Sequence, residues 1–208
     1  VAQGRAAVGA CRKGIRRLRA WSKPDAIIKA SWASDPVPEP GRWTKQGRQF
    51  AVINLKGETA TFTGTKATTW AGGKQGQYCT AQGNILAGPA VVENMVKAFE
   101  ETKGHLSLRL LAAIEAGQAA GGDTRGMQAA SMVIVKKNAG VWLNNDVVLR
   151  FQVDDQVDPF KELRRIVENW NAFRPNGGAA PVLPKVQRNR KWPGRFFCGE
   201  ARVRCMYL

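Results

Sequence analysis

The sequence predicts a mixed α/β fold, of α+β type, in which a layered sheet carries helices on its faces. Two observations predict it. β-Branched and aromatic stretches meet across a short glycine turn, the mark of hairpin-connected antiparallel strands. Amphipathic helical stretches stand before, between and after the strands without strict strand–helix–strand alternation, which disfavours a doubly wound parallel sheet. With 208 residues, 44% of them hydrophobic, the chain favours one domain with a real core.

Each element follows from local chemistry. Ser22-Lys23-Pro24-Asp25 reads as a helix start, with a Ser cap, Pro in the first turn and an acid where the helix dipole favours it. The prolines at 36, 38 and 40 end that helix, because they cannot donate its backbone bonds. Residues 49–55 form a strand, Lys56-Gly57 turns the chain, and residues 58–63 return. Residues 78–82 read as a further short strand. Pro89 opens a helix with Val91, Val92, Met95, Val96 and Phe99 on one face and a favourable Glu93–Lys97 pair on the wet side. Gly104 stops it, and residues 106–120 form a second helix around Leu110, Leu111 and Ile114. His105, in the link between them, reads as a surface residue. Residues 128–136 and 147–153 are strands, the second alternating Val147, Leu149, Phe151 and Val153 with Arg150 and Gln152. Asp158-Pro159 caps a last helix carrying Phe160, Leu163, Ile166, Val167 and Trp170. The organisation expected is a basic segment over 1–21, a domain over 22–170 and an irregular Pro/Gly-containing tail over 171–208.

The formal charge of +16 first suggests a nucleic-acid or anionic-surface partner. Its placement weakens that idea. Residues 1–30 hold eight Lys/Arg and one Asp, and residues 185–208 hold seven Lys/Arg and one Glu, which leaves +3 for the 154 residues between them. Basic tails, or ends foreign to the domain, fit this better than a nucleic-acid patch on the folded body. No apolar run is long enough to span a bilayer, so no membrane partner is expected. Residues 1–19 lack the apolar core of a signal peptide. Cys11, Cys79, Cys198 and Cys205 include no C-x-x-C pair, and His105 is the sole histidine, which disfavours zinc and any Ser-His-Asp triad. Free thiols in a reducing cytoplasm are the expectation, with a Cys198–Cys205 pairing left open. No metal or cofactor is expected.

Three stretches carry candidate chemistry. Gln82-Gly83-Asn84-Ile85-Leu86-Ala87-Gly88 runs from a strand into a helix. It is either a tight turn, the favoured reading, or a place where backbone amides, a helix N-terminus and the Asn84 amide meet a substrate oxygen. In Gly121-Gly122-Asp123-Thr124-Arg125-Gly126, Asp123 orients Arg125 either as a loop brace or as a clamp for a carboxylate or carbonyl, with Gln128 close behind. Asp154, Asp155 and Asp158 lack the ligand spacing and glycine of a calcium loop, and Asp158 already serves as a helix cap.

Taken together, Gln49-Phe50-Ala51-Val52-Ile53, Phe62-Thr63-Gly64, Trp70-Ala71-Gly72, Gln82-Gly83-Asn84-Ile85-Leu86, Ala120-Gly121-Gly122-Asp123-Thr124-Arg125-Gly126 and Val153-Asp154-Asp155 resemble the domain-of-unknown-function 1028 family of bacteria and archaea, placed in the N-terminal nucleophile (Ntn) hydrolase superfamily. The resemblance spans about residues 14–168. It implies a four-layer α-β-β-α sandwich and amide-bond hydrolysis, with cell-wall peptides as a suggested substrate class. Several residues depart from the family pattern. Val1 supplies no nucleophile, the opening strands are absent or replaced with Arg12-Lys13-Gly14-Ile15 as their trace, Gln156 stands where the family often has His, and the tail after Trp170 does not resemble it. The expectation is that both ends have lost the family frame, by truncation or a shifted reading frame.

The first functional expectation is therefore an Ntn-like hydrolase of small amides or peptides, inactive as written for want of its nucleophile. Asn84, Asp123 and Arg125 would line its pocket, Asn84 as an oxyanion donor, with Gln82, Gly83, Gly122 and Gln128 as substrate contacts. The second is a non-catalytic protein that binds nucleic acid or an acidic surface through its ends, where Trp192, Phe196 and Phe197 could stack on bases. The third is a structural or assembly role, including homo-oligomerisation.

Overall fold

A computed structural model describes residues 23–33, 44–54, 56–140 and 145–172. The Ser22 cap, the prolines at 36–40, the basic ends with their aromatics, and Cys11, Cys198 and Cys205 lie outside the described residues.

Helix α1, Pro24–Ala33, buries Ile27, Ile28 and Ser31. After a short 3-10 turn, Lys45–Gly47, strands β1, Gln49–Ile53, and β2, Thr59–Thr63, pair antiparallel with Phe50 opposite Phe62 and Val52 opposite Ala60. Their turn is organised by Asn54. Its Oδ1 accepts from the amides of Lys56 and Glu58, and Gly57 takes the positive φ the turn needs. Partners opposite each other share a face. The face with Phe50 and Phe62 meets Trp32 of α1, at ring-centroid distances of 6.5 and 4.7 Å.

Strand β3, Gly72–Gly76, has no counterpart in the sequence expectations. It pairs antiparallel with β4, Cys79–Gly83, so that Gly73 opposes Gln82. Tyr78, expected to open β4, sits instead in the turn at φ +60°. Hairpin β3–β4 packs on β1–β2 through side-chain-to-backbone bonds: Gln49 Nε2 to the Gly83 carbonyl at 2.9 Å and Thr59 Oγ1 to the Gly76 carbonyl at 3.4 Å.

Helix α2, Pro89–Glu101, lies on β3–β4 and buries the five apolar residues expected of it, Val91, Val92, Met95, Val96 and Phe99. Helix α3, Leu106–Ala119, packs along α2, where a Cβ on Gly117 would come within 2.7 Å of Met95 Cγ. Strands β5, Ala130–Val135, and β6, Val147–Val153, form a third antiparallel hairpin. Helix α4, Pro159–Ala172, covers it beside α3. Asp158 Oδ1 accepts from the Lys161 amide at 3.0 Å, the cap the sequence predicts. The described elements thus stack as helix, hairpin, hairpin, helix, with β5–β6 and α4 completing an α+β body. The main core joins β4, α2, α3, β5, β6 and α4 around Val91, Leu111, Met132, Leu163 and Val167.

Candidate functional site

The C-terminal end of β4 and the loop after α3 come together at one end of these layers. Helix α3 stops because Gly121 takes φ +112°. The Gly122 amide then donates to Gly117 O and the Gly121 amide to Gln118 O, both at 3.0 Å, the double closure of a glycine-terminated helix. The chain leaves that stop directly against residues 85–87. The Ala87 amide donates to Gly122 O at 3.0 Å, and the Thr124 amide and Oγ1 both donate to Ile85 O, at 2.9 and 3.1 Å. From the other side, the amides of Ile85 and Leu86 donate to Thr68 O and Trp70 O, at 3.2 and 3.0 Å. Three loops are laced together, and Leu86 and Asp123 form a bridge at the crossing.

This lacing decides what each predicted residue can do. The amides of residues 85–87 are spent on carbonyls, so the glycine loop does not offer them to an anion. Ile85 holds φ +59°, a conformation unfavourable for a β-branched residue, which persists where the surroundings over-determine it. Asn84, half-buried, has no side-chain hydrogen bond among the described residues. Gln82 Oε1 is buried and has no donor among the described residues. Gly83 is closed off by Leu86, whose Cδ1 would lie 2.7 Å from an added Cβ, and Gly122 by the Gln118 amide.

Asp123 and Arg125 form a bidentate pair. Asp123 Oδ1 accepts from the Arg125 amide and Nε, at 2.8 and 2.9 Å, and Oδ2 accepts from Nη2 at 2.6 Å. The hydrogen bond from Arg125 holds the Asp123 carboxyl below its usual range, against burial, and Asp123 holds the guanidinium up in turn. The Nε–Nη2 edge of Arg125 is therefore committed to the loop, while Nη1 has no bond among the described residues. Gln128 is exposed and joins the next loop through its carbonyl, which accepts from the Gln156 amide at 3.0 Å. In that loop Asp154 takes Gln152 Nε2 at 2.9 Å and Asp158 caps α4. Among the described residues no three His, Cys, Asp or Glu side chains converge as metal ligands, and no helix is long and apolar enough to cross a membrane.

Two residues differ from expectation. Gln49, not singled out by the sequence, bridges the hairpins beside the site, its Nε2 reaching Thr63 Oγ1 at 3.1 Å as well as Gly83 O. A polar residue opening an otherwise apolar strand is the only signal for it. His105 is not a simple surface residue. It is half-buried and caps α3, and its ring lies 5.1 Å from that of Trp170. Cys79 is a free, half-buried thiol whose pKa is raised by burial and then by Glu100, so it is held as thiol.

Fold and loops define an α+β chain in which antiparallel hairpins carry helices on their faces and a polar, glycine-stopped loop end. It belongs to the family described as family of unknown function DUF1028, which it matches over residues 1–163. The match takes in residues ahead of the resemblance noted above, which began near Gly14. The fold is similar to that of a crystal structure of a Silicibacter pomeroyi protein assigned to the same family, with TM-score 0.64 and 22% identity over 82% of this chain and 67% of that one. No curated protein matches the chain.

Proposed function

We propose that the chain is an amide-bond hydrolase of the Ntn type implied by the family resemblance, acting on a small amide or peptide held at the Gln82–Asn84 end of β4. The observation that carries this reading is Gln82 Oε1, a buried carbonyl oxygen without a donor among the described residues. Such a group costs roughly 1–3 kcal/mol unless it is satisfied, and an amide substrate brings an N–H that would satisfy it. Asn84, two residues on, has a free amide N–H to meet an oxyanion. Arg125, oriented by Asp123, has Nη1 left for a substrate carbonyl or carboxylate. Gly83 and Gly122 lie in the laced segments beside it, and Gln128 completes the proposed set of contacts. The nucleophile is assigned to no described residue. A cytoplasmic setting goes with this reading, supported by the free thiol of Cys79.

Incubation with a panel of small amides and cell-wall peptides, following amine release, tests the reading. Turnover that falls at least about tenfold in Gln82→Ala and Asp123→Ala, in folded protein, supports it; a factor of ten is about 1.4 kcal/mol of transition-state stabilisation. No turnover on any member of the panel, with no ligand-induced change in the Gln82 side-chain NMR signals, sinks it.

A further inference from the structure

The first turn of α3 carries a buried polar cluster that the proposed site does not use. Ser107 is fully buried. Its Oγ lies 2.8 Å from His105 Nδ1 and accepts from Asn171 Nδ2, on α4, at 2.9 Å. Asn171 Nδ2 also donates to Val167 O at 2.8 Å. That carbonyl can only accept, which fixes the orientation of the amide. His105 Nδ1 accepts from the Ser107 amide at 3.2 Å. A backbone amide only donates, so Nδ1 must present its lone pair, and the neutral ring carries its proton on Nε2. With Asn171 donating to Oγ, the Ser107 hydroxyl hydrogen is directed to the same Nδ1. One unprotonated nitrogen thereby caps α3 and, through Ser107, ties it to the last turn of α4.

We propose that His105 is an acid-sensitive clasp between α3 and α4. A proton on Nδ1 removes the acceptor for both Ser107 groups. It also sets a positive charge at the helix N-terminus, where the helix dipole opposes it. Among the described residues, the charged groups of the packed elements are held by partners of their own or lie exposed. On α3, the Arg109 guanidinium lies 4.1 Å over the Phe99 ring, with Nε on the Phe99 carbonyl. On α4, Glu168 holds Arg164, which also holds Glu115. At the end of α2, Glu100 accepts from the Gln77 amide, and Glu101 and Lys103 are exposed. From β6 the neighbouring residue is Phe151, edge-on to Trp170 at 6.2 Å. His105 is the only histidine of the chain, and imidazole is the side chain whose ordinary titration falls in mild acid.

Urea unfolding of the whole chain between pH 8 and pH 5 tests the clasp. The folding constant falls with pH across the imidazole range, by at most about tenfold per pH unit for one proton, and the protection of the Ser107 and Leu108 amides, taken relative to the intrinsic exchange rate at each pH, falls over the same range. His105→Asn keeps a capping oxygen but cannot titrate, and its stability is flat there. Nitrogen shifts of the imidazole at pH 8 report the proton on Nε2, a readout that stands even where the variant does not fold. A wild-type curve without slope, an equal slope in His105→Asn, or a proton found on Nδ1 overturns the proposal.

Discussion

Thr124 grips Ile85 twice, amide and hydroxyl both donating to one carbonyl at 2.9 and 3.1 Å. Ile85 meanwhile holds a left-handed backbone that costs an L-residue roughly 1–2 kcal/mol. Replacing Ile85 by Ala keeps that cost, and replacing it by Gly removes it. Elsewhere Gly is the less stable of the two by roughly 0.5–1 kcal/mol. Here the order is expected to invert, with Ile85→Gly at least as stable as Ile85→Ala by urea denaturation. The usual order would show that Ile85 is not held under strain.

The two loop glycines with strongly positive φ separate conformation from space. Gly121, at φ +112°, would place a Cβ 2.6 Å from Ala87 Cβ, whereas Gly126, at φ +97°, opens onto nothing within 4 Å. Gly126→Ala is expected to cost about 1 kcal/mol, the backbone term alone. Gly121→Ala adds the collision and the loss of the α3 stop, and is expected to cost about 2–3 kcal/mol. Equal losses in chemical denaturation would mean that the lacing yields to a methyl group.

The Asp123–Arg125 pair makes a prediction with a definite sign. Arg125 depresses the carboxyl pKa of Asp123 in the folded chain. The contribution of the pair is then complete above the ordinary Asp value of about 3.9 and is lost as pH falls through the lowered folded value. It is small, because Arg125 is 61% exposed and solvent screens it. A carboxyl titration followed by NMR should place Asp123 below the ordinary aspartate range, and Arg125→Met should return it upward. An unchanged titration in Arg125→Met would remove the brace.

Much of this was legible because burial imposes a period. Val91, Val92, Met95, Val96 and Phe99 on α2, and Phe160, Leu163 and Val167 on α4, recur at helical spacing, and the structure buries them all. Arg150 and Gln152 on β6 alternate outward as a strand requires. The pairing of Asp123 with Arg125 was legible as chemistry, but the bonding of its loop to Ile85 and Ala87, and of Leu86 to Trp70, was not, since those bonds join segments far apart in sequence. The role of His105 was hidden for the same reason: Asn171, 64 residues beyond Ser107, completes the cluster. Strand β3 was invisible because Gly72-Gly73-Lys74-Gln75-Gly76 has neither β-branched residues nor alternation. What places it is the absence of side chains, which lets other elements come close.

That last point can be tested at Gly76. A Cβ there would stand 2.5 Å both from Glu100 Oε1 and from Val96 Cγ1, the latter on the buried face of α2, and 2.7 Å from Cys79 Sγ across the hairpin. Strand propensity alone favours Gly76→Ala by less than about 1 kcal/mol. Overpacking a filled contact costs about 1–3 kcal/mol, so the collision wins and the variant is expected to be less stable. Val96→Ala removes the Cγ1 that collides, at the cost of a cavity of its own. Because the two residues touch, their effects should not add: Gly76→Ala in the Val96→Ala background is expected to cost about 1 kcal/mol less than in the wild type. The measurement is a double-mutant cycle in urea. Strict additivity would mean that α2 does not rest on the bare backbone of β3, and that its glycines need another explanation.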